Sequence, residues 1–151
     1  MNPSLELDGK DWKILDALQN DARQSLSALG KRIGLSQPAV SERIRKLEDA
    51  GVIEGYGARL NLQKAGYGLL ALIRVRSDHA RLPQLLAQCE TMPEVLDAFR
   101  ITGEDCLLLR CAIPRPEALE SVVDTLAAYG NLTTSLVLSK PISRTVAAPA
   151  G

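Results

Sequence analysis

Arg43, Arg45 and Lys46 place three cations within four consecutive positions, and Lys31 and Arg32 precede them by a short stretch. Between them stand Gln37, Ser41 and Glu42, side chains that donate or accept hydrogen bonds. Cations at this density suit phosphate oxygens, and polar groups set among them suit the edges of bases. The chain as a whole is neutral, with 18 Lys and Arg against 18 Asp and Glu, so any cationic face must come from arrangement. Residues 23–46 carry six cations and one acid, whereas residues 1–22 carry five acids and two cations. A polyanion meets the local field, not the total.

Other chemistries find little to work with. His79 is the only histidine, so no triad or histidine-rich metal site can be assembled. Cys89, Cys106 and Cys111 match no metal spacing; the last two lie an odd number of positions apart on one apparent strand and so face opposite sides of it. They read as buried free thiols. Gly55-Tyr56-Gly57 and Gly66-Tyr67-Gly68 neither follow a strand nor open a helix with a third glycine, which excludes a dinucleotide loop. No catalytic residue, metal or cofactor is expected. Aromatic residues make up 3% of the chain, too few for a surface that stacks on bases. No apolar run approaches the roughly 20 residues a membrane span requires, and the N-terminus has no signal-like apolar stretch. A cytoplasmic protein with no membrane partner is expected.

The elements that must position the basic residues are legible from caps and periodicity. Ile14, Leu15 and Leu18 share one face of a helix running from near Gly9 to about Asn20. Trp12 is expected to pack that helix against its neighbours. Ser25 caps a second helix, with Leu26, Leu29 and Ile33 as its apolar stripe and Gly34 as its stop. Ser36 caps a third, Pro38 sits in its first turn, Val40, Ile44 and Leu47 form its buried side, and Gly51 ends it. Two capped helices joined by about three residues headed by glycine make a helix-turn-helix pattern. In that motif the N-terminal part of the second helix enters the major groove of DNA.

With the apolar stripe turned inward, Gln37, Pro38, Ala39, Ser41, Glu42, Arg43, Arg45 and Lys46 remain on the outer sides of the third helix. Gln37 suits an adenine edge, Ser41 and Arg45 reach neighbouring bases, and the Ala39 methyl suits a thymine methyl. Arg43 and Lys46, with Lys31 and Arg32, are expected on phosphates, and the helix N-termini at Ser25 and Ser36 offer further N–H donors. An ordinary i, i+4 pair between Glu42 and Lys46 on a solvated face is the plainer reading of the same charges.

Residues 52–66 read as a strand-like linker, with a domain boundary near residue 62. From residue 67 to residue 145 the pattern becomes β-α-β-β-α-β, and residues 146–151 read as a flexible tail. Tyr67, Leu69, Ala71, Ile73 and Val75 alternate onto one face of the first strand. Leu82, Leu85, Leu86 and Cys89, and later Leu119, Val122, Val123 and Leu126, repeat a helical spacing within helical segments, the first of them spanning 79–91. The expected fold is therefore α+β: an N-terminal helix-turn-helix over residues 1–51 and a C-terminal ferredoxin-like βαββαβ domain, two helices covering one sheet face. The other face would leave Leu70, Leu72 and Leu108 uncovered, which predicts sheet-to-sheet self-association.

The stretch "LDGKDWKILDALQNDARQSLSALGKRIGLSQPAVSERIRKLEDAGVIEGYGARLN", with "ITGEDCLLLR" and "TTSLVLS" further on, resembles the Lrp/AsnC family of feast/famine transcriptional regulators. The resemblance runs from Leu7 to about Thr145. It implies a helix-turn-helix joined to a ligand-sensing ferredoxin-like domain, a dimer that often assembles to an octamer, double-stranded DNA as partner, and an amino acid or related small molecule as effector. By motif it carries effector binding onto Thr102, Gly103, Glu104 and Asp105, with Thr134 and Ser135 of the last strand. Turn N–H groups can hold a carboxylate, an acid such as Asp105 an ammonium, and hydroxyls can select among side chains. Many members carry an aromatic and then an acid after the Gly-acid pair, where this chain has Asp105 followed by Cys106. A plain turn whose Gly103 supplies a positive φ is the alternative. At the level of the whole chain the alternative is an assembly module whose helical domain contacts protein rather than DNA.

Overall fold

In the computed structural model, which describes residues 6–150, the chain divides into two units: residues up to Ala58 with residues from Ile142 onward, and Arg59–Pro141. Residues 1–5 and 151, the ends of the expected helical domain and tail, lie outside the described residues.

The first unit holds α1 (Gly9–Asn20), α2 (Leu26–Ile33) and α3 (Gln37–Asp49). Each starts at a residue whose oxygen accepts from the first turn: Asp8 from Lys10 N and Asp11 N, Ser25 from Ala28 N, Ser36 from Ala39 N. Such caps satisfy donors that have no carbonyl partner within the helix. Gly34, at φ 71°, ends α2 in the left-handed region that glycine enters without strain. Ile14, Leu29, Val40 and Leu47 are fully buried between the helices, with Leu15, Ala17 and Ile44 beside them and Trp12 half-buried against them. Burial of each large side chain contributes roughly 1.5–3 kcal/mol.

Gly30 is buried where α2 meets the turn into α3. A Cβ there would stand 2.5 Å from the Leu35 carbonyl oxygen and 3.4 Å from Val40 Cγ2. Only a residue without a side chain permits that approach.

The second unit holds β1 (Leu69–Arg76), α4 (Leu82–Glu90), β2 (Val95–Arg100), β3 (Leu107–Ile113), α5 (Pro116–Ala127) and β4 (Asn131–Leu136). The strands form one antiparallel sheet in the order β2-β3-β1-β4, the ferredoxin-like arrangement. Ala71, Ile73 and Val75 pair with Cys111, Leu109 and Leu107, and this face packs against Leu82, Leu85 and Cys89 of α4 and Val122 and Leu126 of α5. The alternate positions, Leu70, Leu72, Arg74 and Arg76 of β1 with Leu108 and Arg110 of β3, point to the face without helices. Leu70, Leu72 and Leu108 are half-buried there, and Phe99 of β2, opposite Leu108, is 49% exposed.

Several boundaries depart from the sequence expectations. Residues 52–66 contain no strand. Val52 N and Ile53 N both donate to Leu47 O, closing α3 beyond Gly51, and Ile53 packs on the helical core. The division between units falls between Ala58 and Arg59, within about four residues of the expected boundary near residue 62. Tyr67 precedes β1 because its N–H donates to Leu62 O in a turn. Residues 79–81 precede α4, which starts at Leu82 with a proline in its first turn. Residues from Ile142 onward belong to the helical unit, where Gln19 donates to Val146 O at 2.9 Å and accepts from Val146 N at 2.8 Å. Those two bonds attach part of the expected tail to α1.

Candidate nucleic-acid interface and effector loop

Val40, Ile44 and Leu47 anchor α3, and at 100° per residue its remaining positions divide into two flanks and an outer side. Gln37, Pro38, Glu42, Arg45 and Lys46 are exposed, while Ala39 and Ser41 are half-buried. Ser41 and Arg45 line an open cavity of about 290 Å³ together with Glu48 and Tyr56, whose hydroxyl donates to Glu48 Oε1 at 2.7 Å. Burial and the nearby Glu48 carboxylate push the Tyr56 phenol up to about 12. Lys31 and Arg32, exposed in the last turn of α2, and Arg45 have no ion-pair partner among the described residues. The Ser25 and Ser36 hydroxyls are occupied as caps, at 3.1 and 3.4 Å, which leaves other first-turn N–H groups of α2 and α3 for an anion.

Two cations of the basic segment are already paired. Lys46 Nζ lies 2.9 Å from Glu42 Oε1, one turn away, and that bond holds the Glu42 carboxyl below its usual range. The pair is exposed, so it contributes little to stability and can yield to a phosphate. Arg43 is different. Its Nη1 donates to Asp8 Oδ2 at 2.8 Å and to Asp11 Oδ1 at 2.7 Å, and both bonds raise its own pKa. The expected phosphate role of Arg43 meets a competing arrangement, in which its Nη1 is held by two carboxylates at the start of α1. Asp8 answers the backbone N–H of Asp11 and the Arg43 guanidinium, which together hold its carboxyl down at about 2. Gly30 was absent from the sequence expectations, although a glycine inside a helix pattern four residues before another glycine is a signal of close approach.

The turn between β2 and β3 contains Thr102, Gly103, Glu104 and Asp105. Gly103 has φ 110°, and the turn is tied down by Ile101 N donating to Cys106 O and Cys106 N donating to Val75 O. Neither acid is free. Glu104 pairs with Arg76, and Asp105 lies 3.9 Å from Arg76 Nε and 4.0 Å from Arg74 Nε. Thr134 and Ser135 do not converge. Ser135 pairs with Leu72 on the open face, whereas Thr134 pairs with the buried Ile73 and faces the helices. The residue that shares the open face opposite Arg74 is Thr133. Arg74 and Arg76 were absent from the sequence expectations; the alternation of Ile73-Arg74-Val75-Arg76 puts them on the open face but does not announce that they meet the turn.

Cys89 and Cys111 are buried, and burial pushes the Cys111 thiol up to about 11. No helix among the described residues is long and apolar enough to cross a membrane.

The family model for the AsnC-type helix-turn-helix domain matches residues 7–48, and that for the Lrp/AsnC ligand binding domain matches residues 70–147. The leucine-responsive regulatory protein of Rhizobium meliloti is 39% identical over 134 residues, 86% of this chain and 86% of its own. The solved structure of LrpC from Bacillus subtilis superposes with a TM-score of 0.88 at 28% identity, covering 93% of this chain and 100% of that one. A transcriptional regulator from Neisseria meningitidis, solved in complex with L-Met, superposes with a TM-score of 0.84 at 35% identity, covering 95% of this chain and 97% of that one.

Proposed function

The chain belongs to the Lrp/AsnC family of transcriptional regulators, and from that premise we propose which of its residues meet DNA and which meet an effector. The outer side of α3 enters the major groove. Arg45, Ser41 and Gln37 read base edges, Ala39 contacts a thymine methyl, and Lys31, Arg32 and Lys46 with the N-termini of α2 and α3 hold phosphates. The observation that carries this reading is the exposed Arg45, without an ion-pair partner among the described residues, on a helix anchored from behind by Val40, Ile44 and Leu47. Two copies related by a two-fold axis meet half-sites about 10 bp apart or a multiple of that, with the open sheet face as the surface of self-association. That face accounts for a dimer, a larger assembly such as an octamer needs a second contact surface, and the protein works in the cytoplasm.

The effector is an amino acid. Its support is the ligand-domain match and the L-Met carried by the Neisseria relative. On this chain the Thr102–Asp105 turn and Ser135 supply the polar groups; Thr134, facing the helices, takes no part. An incoming ammonium displaces an arginine from Asp105, and Arg74 or Arg76 is then free for the ligand carboxylate. The effector shifts assembly or DNA affinity by the difference in its affinity for the two arrangements.

Binding of the wild-type protein to a duplex selected from a randomised pool, followed across salt concentrations, tests the nucleic-acid reading. Two copies each placing Lys31, Arg32 and Lys46 on phosphates give a log-log slope of roughly −5. A flat plot favours the reading in which the helical domain contacts protein.

A further inference from the structure

We propose that Arg43, with Asp8 and Asp11, is the positioning device that sets the rotation of α3 about its own axis, and so the aim of Ser41 and Arg45. The inference rests on the reading of α3 as the helix that enters the groove.

Three observations carry it. The first is the division of labour among carboxylate oxygens. Asp8 Oδ1 accepts from Lys10 N and Asp11 N, both at 2.8 Å, while Asp8 Oδ2 accepts from Arg43. Asp11 Oδ2 accepts from Asp8 N at 3.0 Å, while Asp11 Oδ1 accepts from Arg43. One oxygen of each acid thus builds the reciprocal cap of α1, and the other receives the guanidinium of α3. The cap bonds hold both carboxylates independently of Arg43, so their remaining oxygens form a fixed acceptor pair for the arginine.

The second is burial. Asp11 is the one buried charged residue among the described residues, at 9% exposure. A carboxylate in that setting requires a partner, and charge-assisted hydrogen bonds are the more directional and stronger kind.

The third is position on the helix. Arg43 flanks the buried stripe of Val40, Ile44 and Leu47 on one side, and Ser41 with Arg45 flanks it on the other. The two flanks line separate cavities, Arg43 with Asp11, Ala39 and Glu42, and Arg45 with Ser41 and Glu48. Apolar packing decides which stripe of α3 faces the core, but it is non-directional and supplies no fixed acceptor for a fine adjustment of angle. Hydrogen bonds from one flank to a fixed acceptor pair resist rotation strongly, and any rotation they permit moves the opposite flank by the same angle.

The experiment compares Arg43→Gln, Asp11→Asn and the double variant with wild type on the selected duplex and on a random duplex, across salt concentrations and below each variant's melting transition. Arg45→Ala runs alongside as a check on the groove reading. Positioning predicts that Arg43→Gln binds the selected duplex roughly tenfold more weakly, within the range set by one bidentate pair to a base edge. Its affinity for the random duplex and its salt slope stay at wild-type values. Asp11→Asn weakens binding in the same direction although it removes a negative charge, and the double variant is no weaker than either single one. The proposal is overturned if Arg43→Gln flattens the slope by about 0.9 for each phosphate that the arginine would have neutralised. It is also overturned if Asp11→Asn tightens binding, or if selected and random duplexes weaken equally. Equal weakening on both duplexes for Arg45→Ala would instead remove the groove reading and leave the geometry around Arg43 untouched.

Discussion

The α-carbon of Gly30 faces the carbonyl oxygen of Leu35 so closely that a Cβ would stand 2.5 Å from it. Leu35 N and the capping N–H of Gly34 both donate to Gly30 O, so the same glycine organises the turn from both sides. The turn into α3 therefore has no slack at this point.

Gly30→Ala is expected to destabilise the helical unit. Overpacking against backbone costs about 1–3 kcal/mol, and the better helix propensity of alanine returns up to about 1. A net loss of about 1–2 kcal/mol should appear in chemical unfolding. Unchanged stability would mean that α2 and α3 separate freely.

Lys31→Ala should weaken binding to selected and random duplexes alike, and lower the salt slope by about 0.9 for each protomer bound to the duplex. Lys31 has no partner within the described chain to lose, so the melting temperature should hold. A changed base preference with an unchanged slope would place it on a base.

The acid limb of stability should depend on Asp8. Its carboxyl takes a proton near 3.8 in the unfolded chain and only at about 2 in the folded one. The folded state thus gains from the charged form at every pH above the unfolded value, and the gain disappears as pH falls from 3.8 towards 2. Asp8→Asn should flatten that part of a melting-temperature profile. Tyr56 gives the opposite limb, since its phenol titrates at about 12 against 10 in the unfolded chain. Its contribution is complete below pH 10 and lost as pH rises towards 12, and Tyr56→Phe should remove that loss.

Caps and stops were legible in the sequence because they are local. Ser25, Gly34, Ser36 and Gly51 each act within a few residues, and the bounds of α2 and α3 follow from them. The alternation of β1 likewise separated Ala71, Ile73 and Val75 from Leu70 and Leu72. Arg43 was not legible as a paired residue, because Asp8 and Asp11 lie 35 and 32 positions away and no local pattern announces the meeting. The return of residues 142–150 to the helical unit was hidden for the same reason, as Gln19 and Val146 are 127 positions apart. The turn proposed to meet the effector was legible as a turn. Its acids were not legible as paired, since Arg76 and Glu104 are brought together only when β1 and β3 align.

Asp105→Asn should weaken amino-acid binding about tenfold, the effect of losing one hydrogen bond to a charged group, and Thr134→Ala should leave it unchanged. Calorimetry with L-Met and the other amino acids reads both. Sedimentation of the same samples reads whether the assembly shifts with ligand. Equal effects of the two substitutions would place the ligand on the helix-covered side of the sheet.

The ratio of affinities for the selected and the random duplex, measured for Arg45→Ala, tests the central claim most directly. The account predicts a ratio reduced about tenfold or more, with the affinity for random DNA held close to wild type. A ratio equal to that of wild type would contradict it, because the exposed side of α3 would then carry no sequence information.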